Sequence, residues 1–179
     1  MKLVILDRDG VINRESDEFI KSEQEWEALP GALEALGQLY RHGYRIVIAT
    51  NQSGIARGKL NMDDLNRIHR KMHTHAAQFG AVIEAIFICP HGPDDDCLCR
   101  KPRPGMYEDI AQRLRIELTD VPVIGDRLHD LEPVRAMGAR PFLVETGRGR
   151  SEIASGPVPQ DVTVVADLAA VAELLIDAG

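Results

Sequence analysis

Short apolar runs alternate with longer amphipathic stretches along this chain. Residues 3–6, 45–49, 85–88, 122–124 and 141–144 read as strands, with 162–165 as a short sixth. Several are continuous apolar runs, as in Leu3, Val4, Ile5 and Leu6, the pattern of strands buried on both faces of a parallel sheet. Helical patterns lie between them. Residues 31–42 carry Leu33, Leu36 and Leu39 at spacing three and stop before Gly43. Residues 62–79 open at Asn61, a good cap, and close at Gly80. Residues 104–114 start on Pro104, suited to a first turn; 128–137 end before Gly138, and 168–178 follow. The alternation predicts an α/β fold with a doubly wound, mainly parallel, Rossmann-like sheet. Residues 151–160, rich in Gly, Ser and Pro, read as a surface loop. There is no internal repeat and no dividing linker, so one domain over 1–179 is expected.

In such sheets ligands gather at the carboxyl ends of the strands. Polar clusters stand there four times: Asp7-Arg8-Asp9-Gly10, Thr50-Asn51-Gln52-Ser53, Cys89-Pro90-His91 and Gly125-Asp126.

Composition narrows the partners. A chain of 179 residues, 44% hydrophobic and 27% charged, suits a soluble protein with a sizeable core. A net charge of −7 argues against a nucleic-acid or anionic-membrane partner. No apolar run approaches the roughly 20 residues that span a bilayer. Only Lys2 precedes the first strand, with no signal-peptide pattern, so the expected location is cytoplasmic. The three cysteines, Cys89, Cys97 and Cys99, sit in one short segment. That points to metal rather than to a disulfide framework.

The clusters suggest chemistry, each against a plainer reading. Asp7 and Asp9 are suited to attack phosphorus and to protonate a leaving oxygen, or they simply close a strand in an Asx-type turn. Asp126 adds a hard oxygen ligand that, with Asp7, suits Mg²⁺. Asp130, one helical turn on, orients Asp126 or caps a helix. Thr50 to Gly54 offers a hydroxyl and N–H groups for phosphate, or ordinary loop chemistry. Arg100-Lys101 reads as a cationic clamp on a phosphoryl group, or as a solvated basic pair. Cys89-x-His91-x₅-Cys97-x-Cys99 makes two chelating pairs that can close a tetrahedral structural Zn²⁺ site, or these are reduced core cysteines. Asp94, Asp95 and Asp96 then form its solvent-facing tip, and the zinc fixes Arg100 and Lys101 in space. His69, His73 and His75 read as an exposed helix face, and Trp26 as a residue that packs or lines a rim. Gly147-Arg148-Gly149-Arg150 is a phosphate loop or, more in keeping with its composition, a solvated turn. No Gly-x-Gly-x-x-Gly or Walker-type loop follows a strand.

Taken together, Asp7-Arg8-Asp9-Gly10, Thr50-Asn51, Gly125-Asp126 with Asp130, and Cys99-Arg100-Lys101-Pro102 resemble the haloacid dehalogenase superfamily. Within it they look like the D-glycero-D-manno-heptose-1,7-bisphosphate 7-phosphatase family, whose near relatives are histidinol-phosphate phosphatases. The resemblance implies a Mg²⁺-dependent phosphoric monoester hydrolase in lipopolysaccharide core precursor biosynthesis, acting on a small phosphorylated sugar as a monomer. It implies Asp7 as nucleophile, Asp9 as general acid and then base, and Thr50 and Lys101 as stabilisers of the phosphoryl group. Asp7, the Asp9 carbonyl and Asp126 would hold Mg²⁺. Asn51, Gln52, Ser53, Arg100 and Arg127 would bind substrate. Cys89, His91, Cys97 and Cys99 would hold Zn²⁺. Arg127 stands where the family commonly has Lys, and Glu15-Ser16-Asp17-Glu18-Phe19 replaces its glycine-bearing segment. The short connections leave no room for a cap domain. The alternatives are histidinol phosphate as substrate, a zinc-stabilised binding module without catalysis and, more remotely, a nucleic-acid 3′-phosphatase.

Overall fold

The first apolar run forms the axis of the sheet. In the computed structural model, which describes residues 2–178, β1 (Lys2–Leu6) pairs with β2 (Tyr44–Asn51) on one side and β4 (Pro122–Gly125) on the other. β3 (Ile83–Cys89) lies outside β2, and β5 (Arg140–Val144) and β6 (Thr163–Val165) lie beyond β4. The order is β3-β2-β1-β4-β5-β6 and every pairing is parallel.

Alternation along β1 sends side chains to two cores. Val4 and Leu6 join Ile46, Ile48, Ile124 and Phe142 on one face. Against them pack α1 (Ala32–Arg41), α2 (Met62–Gln78) and α6 (Leu168–Asp177). Leu3 and Ile5 join Val47, Val123 and Leu143 on the other face, under α3 (Gly105–Leu114) and α4 (Leu128–Arg135). Both faces are covered, which is why the strands read as unbroken apolar runs. Full burial of a side chain such as Leu36 or Ile48 contributes about 1.5–3 kcal/mol before entropy is counted.

Helix ends follow the chemistry of their caps. The Asn61 side chain accepts from the Asp64 N–H while Asp64 accepts from the Asn61 N–H, both at 2.9 Å. Gly43, Gly80 and Gly138 all adopt positive φ just beyond helix C-termini.

Two expectations need correction. The stretch set down as a loop from 151 begins instead within α5 (Gly149–Ser155). Seven residues with one packing contact to the core, Ile153, are too few to show a helical period. The histidines of α2 do not share an exposed face. Only His73 is exposed; His75 meets Trp26 edge-on at 5.6 Å, and His69 is half-buried beside Arg8. Trp26 is buried as expected.

The strand order reverses between β1 and β4, so a crevice opens at their carboxyl ends. The two longest connections, residues 7–31 and 90–104, border it without forming a cap domain. Among the described residues no helix is long and apolar enough to cross a membrane.

Candidate active site

Asp7 follows the last residue of β1, and its N–H donates to the Ile124 carbonyl of β4 at 2.8 Å. That bond fixes the first carboxylate to the border of the two central strands. Asp126 follows β4 in the same way, and Asp130 comes one turn later from α4. One oxygen from each of the three lies within 4.8 Å of the others.

Such crowding changes their acidity. Burial, with Asp7 and Asp130 adding repulsion, pushes the Asp126 carboxyl up to about 9. Burial raises Asp7 to about 6 against the pull of Lys101. Asp130 is also buried, yet Lys101 and His129 hold it well below the usual carboxylate range. Three confined carboxylates, two of them driven toward protonation, suit a small hard cation that replaces repulsion by coordination.

Lys101 is buried at the same point. Its Nζ lies 3.1 Å from Asp7 Oδ1 and 2.8 Å from Asp130 Oδ1, and donates to the Ala49 carbonyl at 2.8 Å. Burial opposes its charge, but Asp130 and Asp7 hold its pKa well above the usual value. Asn51 grips its backbone from both sides. Asn51 Oδ1 accepts from the Lys101 N–H at 3.2 Å, and Nδ2 donates to the Lys101 carbonyl at 3.1 Å. The lysine is therefore anchored by β2 and the carboxylates.

Asp9 sits apart from the other three carboxylates, on donors of its own. Arg8 Nη2 donates to both oxygens at 2.9 and 3.0 Å, Asn13 Nδ2 to Oδ1 at 2.8 Å and Gln52 Nε2 to Oδ2 at 2.9 Å. Burial alone would raise its pKa, but the Arg8 charge and these hydrogen bonds hold it below the usual range. Gln52 also donates to Thr50 Oγ1 at 3.0 Å, which ties the second strand's buried hydroxyl to the same network.

A cleft of about 290 Å³ opens over this floor. Asn51, Gln52, Ser53, Arg100 and Arg127 all line it, together with Arg57 and Arg148. The sequence missed most of what shapes its far wall. Glu15 faces Arg127 at 3.4 Å, and Arg148 is paired with both Glu15 and Asp17. Two arginines over the cleft are thus already met by acids, while Arg57 stands over the Phe19 ring.

The turn at 147–150 is not simply solvated. The Arg148 N–H donates to Asp126 Oδ2 at 2.8 Å, and Thr146 Oγ1 donates to the Gly10 carbonyl at 2.7 Å. Gly10 and Gly147 both have positive φ, and a Cβ on either would lie 2.1 or 2.2 Å from Asp126 Oδ2. Both positions require glycine so that backbone can close around Asp126. Arg150, by contrast, is exposed. The pairing of Gly147 with Gly149 was the available signal, but spacing alone does not say what a turn packs against.

The cysteine segment forms a second donor cluster beyond β3. Cys89 Sγ is 3.6 Å from His91 Nδ1 and 3.8 Å from Cys97 Sγ, and Cys99 Sγ is 3.3 Å from His91 Nδ1. No two of the three cysteines are joined in a disulfide. Burial, with Cys97 and Cys99 alongside, raises the Cys89 thiol to about 12. Three thiols and an imidazole converging within 4.8 Å are a donor set for a soft or borderline ion. Asp94, Asp95 and Asp96 are exposed at the tip.

The doubly wound sheet, with Asp7, Lys101 and Asp126 meeting at its switch point, defines a haloacid dehalogenase-like hydrolase. The model for HAD-hydrolase-like proteins matches residues 98–171, and that for polynucleotide kinase 3 phosphatase matches residues 2–127. A D-glycero-beta-D-manno-heptose-1,7-bisphosphate 7-phosphatase of Bordetella bronchiseptica is 55% identical over 176 residues, 98% of each chain. One of Pseudomonas putida is 47% identical over 98% of this chain and all of its own. The crystal structure of D,D-heptose 1,7-bisphosphate phosphatase from B. bronchiseptica, complexed with magnesium and phosphate, superposes with a TM-score of 0.97. It is 54% identical, and the match covers 100% of both chains. The chain belongs to the D-glycero-beta-D-manno-heptose-1,7-bisphosphate 7-phosphatase family.

Proposed function

We propose that this chain removes the 7-phosphate of D-glycero-beta-D-manno-heptose 1,7-bisphosphate through a phosphorylated Asp7. The observation that carries the reading is the placement of Asp7. It is fixed to β4, it lies 3.1 Å from the Lys101 ammonium, and it shares its corner with Asp126. Asp7 Oδ attacks phosphorus, and the sugar C7 oxygen departs with a proton from Asp9. Asp9 then takes a proton from water, which attacks the phosphorylated Asp7 and releases phosphate.

Lys101 and the Thr50 hydroxyl stabilise charge on the phosphoryl oxygens. Held by Asp7, the Asp9 carbonyl and Asp126, Mg²⁺ supplies further neutralisation there. In the resting site Asp9 is held ionised by Arg8, Asn13 and Gln52, so it must take up a proton from solvent before it can act as the acid. A phosphate dianion entering beside it disfavours the carboxylate and raises its pKa. Asn51 and Gln52 serve mainly through Lys101 and Asp9, whereas Ser53, Arg100 and Arg127 face the substrate. With Arg127 met by Glu15, Arg100 is the better placed to take the sugar's other phosphate.

The site is open, the protein acts as a single-domain monomer in the cytoplasm, and Cys89, His91, Cys97 and Cys99 hold a structural Zn²⁺. The acidic balance and the sugar-phosphatase names of the relatives favour this substrate over a nucleic-acid end. A steady-state comparison of heptose bisphosphate with histidinol phosphate, with and without Mg²⁺, tests it. The expected result is a Mg²⁺-dependent kcat/KM at least about 100-fold higher for the heptose, since distal-phosphate contacts are absent from the other substrate. A preference for histidinol phosphate would overturn the assignment.

A further inference from the structure

Arg8 is wholly buried, and its part in the proposed chemistry is confined to holding Asp9. Its guanidinium is divided between two partners. Nε and Nη2 grip Asp9, at 3.2 Å and 2.9 Å to Oδ1. Nη1 turns away and meets His69 Nε2 at 3.2 Å, from a residue 61 positions along the chain.

The chemistry of that contact has one solution. A guanidinium only donates, so the imidazole nitrogen must accept, and the ring must be neutral with its proton on Nδ1. Burial and the Arg8 charge push His69 down to about 3, which keeps it in that state at neutral pH. The guanidinium is planar, so fixing Nη1 fixes the plane in which Nε and Nη2 present themselves to Asp9. On its outer side His69 lines an open groove of about 560 Å³ between α2 and β3. Without the imidazole, water would enter there as an alternative and mobile acceptor for Arg8.

We propose that His69 is a positioning residue for proton transfer, accepting from Arg8 Nη1 and so orienting the guanidinium fork that holds Asp9. The proposal rests on the reading of Asp9 as the general acid. Asn13 and Gln52 also hold Asp9, so loss of His69 weakens the arrangement without abolishing it.

The test uses leaving groups. kcat/KM reports steps only up to departure of the alcohol, and a sugar alkoxide needs the acid's proton where p-nitrophenolate does not. His69→Leu is expected to lower kcat/KM for heptose bisphosphate by about tenfold, a fraction of what general acid catalysis supplies, and that for p-nitrophenyl phosphate by less than about twofold. His69→Gln restores a neutral acceptor and should recover the sugar substrate to within about threefold of wild type. Should His69→Leu fold poorly, His69→Ala, which keeps the helix, carries the same comparison.

Equal losses on both substrates, or none, would overturn the proposal. Asp9→Asn, measured alongside, separates the two claims. If it too fails to discriminate between leaving groups, the reading of Asp9 falls and takes this proposal with it. If Asp9→Asn discriminates and the His69 variants do not, only the role of His69 falls.

Discussion

The chain carries two donor clusters, and they are built in opposite ways. The carboxylates Asp7, Asp126 and Asp130 come from two strand ends and a helix far apart in sequence, and they are largely buried. Cys89, His91, Cys97 and Cys99 come from one segment, and only Cys89 is fully buried. The first cluster exists because the sheet is wound as it is. The second is closed by its own loop. Burial, with mutual repulsion added, drives Asp126 and Asp7 toward protonation, and burial likewise holds Cys89 as a neutral thiol. A scaffold therefore has to force the hard cluster together, while the soft cluster is brought together by its own short segment.

Removing one carboxylate should accordingly destroy function and spare the fold. Asp126→Asn is expected to lower kcat by at least about 10³-fold, as loss of electrostatic stabilisation of a phosphoryl group does. In the absence of Mg²⁺ its melting temperature should equal or exceed that of wild type, because one of three crowded carboxylates is gone. Steady-state rates and a melting curve check both halves. A large drop in melting temperature would show that the cluster stabilises rather than strains the fold.

Removing one thiol should do the reverse. Cys97→Ser is expected to lose about one equivalent of zinc by elemental analysis and to melt about 5–10 °C lower, or roughly 2–4 kcal/mol. Since Asn51, Ala49 and the carboxylates hold Lys101, turnover of p-nitrophenyl phosphate should change by less than about threefold. Heptose bisphosphate should show a raised KM as Arg100 loosens. Collapse of both activities would mean that the two regions are coupled more tightly than their separate anchors indicate.

A further effect lies in the acid limb of stability. His69 has a folded pKa of about 3 against an ordinary value of 6.5, so between these values the unfolded chain binds the extra proton. Its contribution to stability is complete above pH 6.5 and is lost as pH falls toward 3. Acid would also release any ion held by the cysteine cluster, so the comparison belongs in a Cys97→Ser background. There, His69→Gln should show a shallower loss of melting temperature across that window. An unchanged slope would mean that His69 is not held neutral by Arg8.

The two clusters also differed in how they could be read from sequence. The thiol site was legible from spacing alone, since four ligands within one short segment can meet whatever the fold. The carboxylate site was legible because strand ends of a doubly wound sheet converge, so Asp7 and Asp126 had only one place to meet. Local contacts between loops were not legible. Nothing in the order of residues tells that the Arg148 N–H reaches Asp126, or that Glu15 and Asp17 occupy Arg148. His69 was misread for a related reason: on α2 its side turns toward Arg8, and helical spacing gives a face but not what lies opposite it. The short helix α5 escaped because seven residues hold too little periodicity.

The central claim is that Asp7 becomes phosphorylated. Its most direct test is acid quench of the enzyme during turnover of heptose bisphosphate carrying labelled phosphorus at C7, followed by peptide mapping. Hydroxylamine-labile label is expected on the peptide containing Asp7, absent in Asp7→Asn, and appearing and decaying at rates that match turnover. Full turnover with no label on protein at any time, or label elsewhere than Asp7, would contradict it.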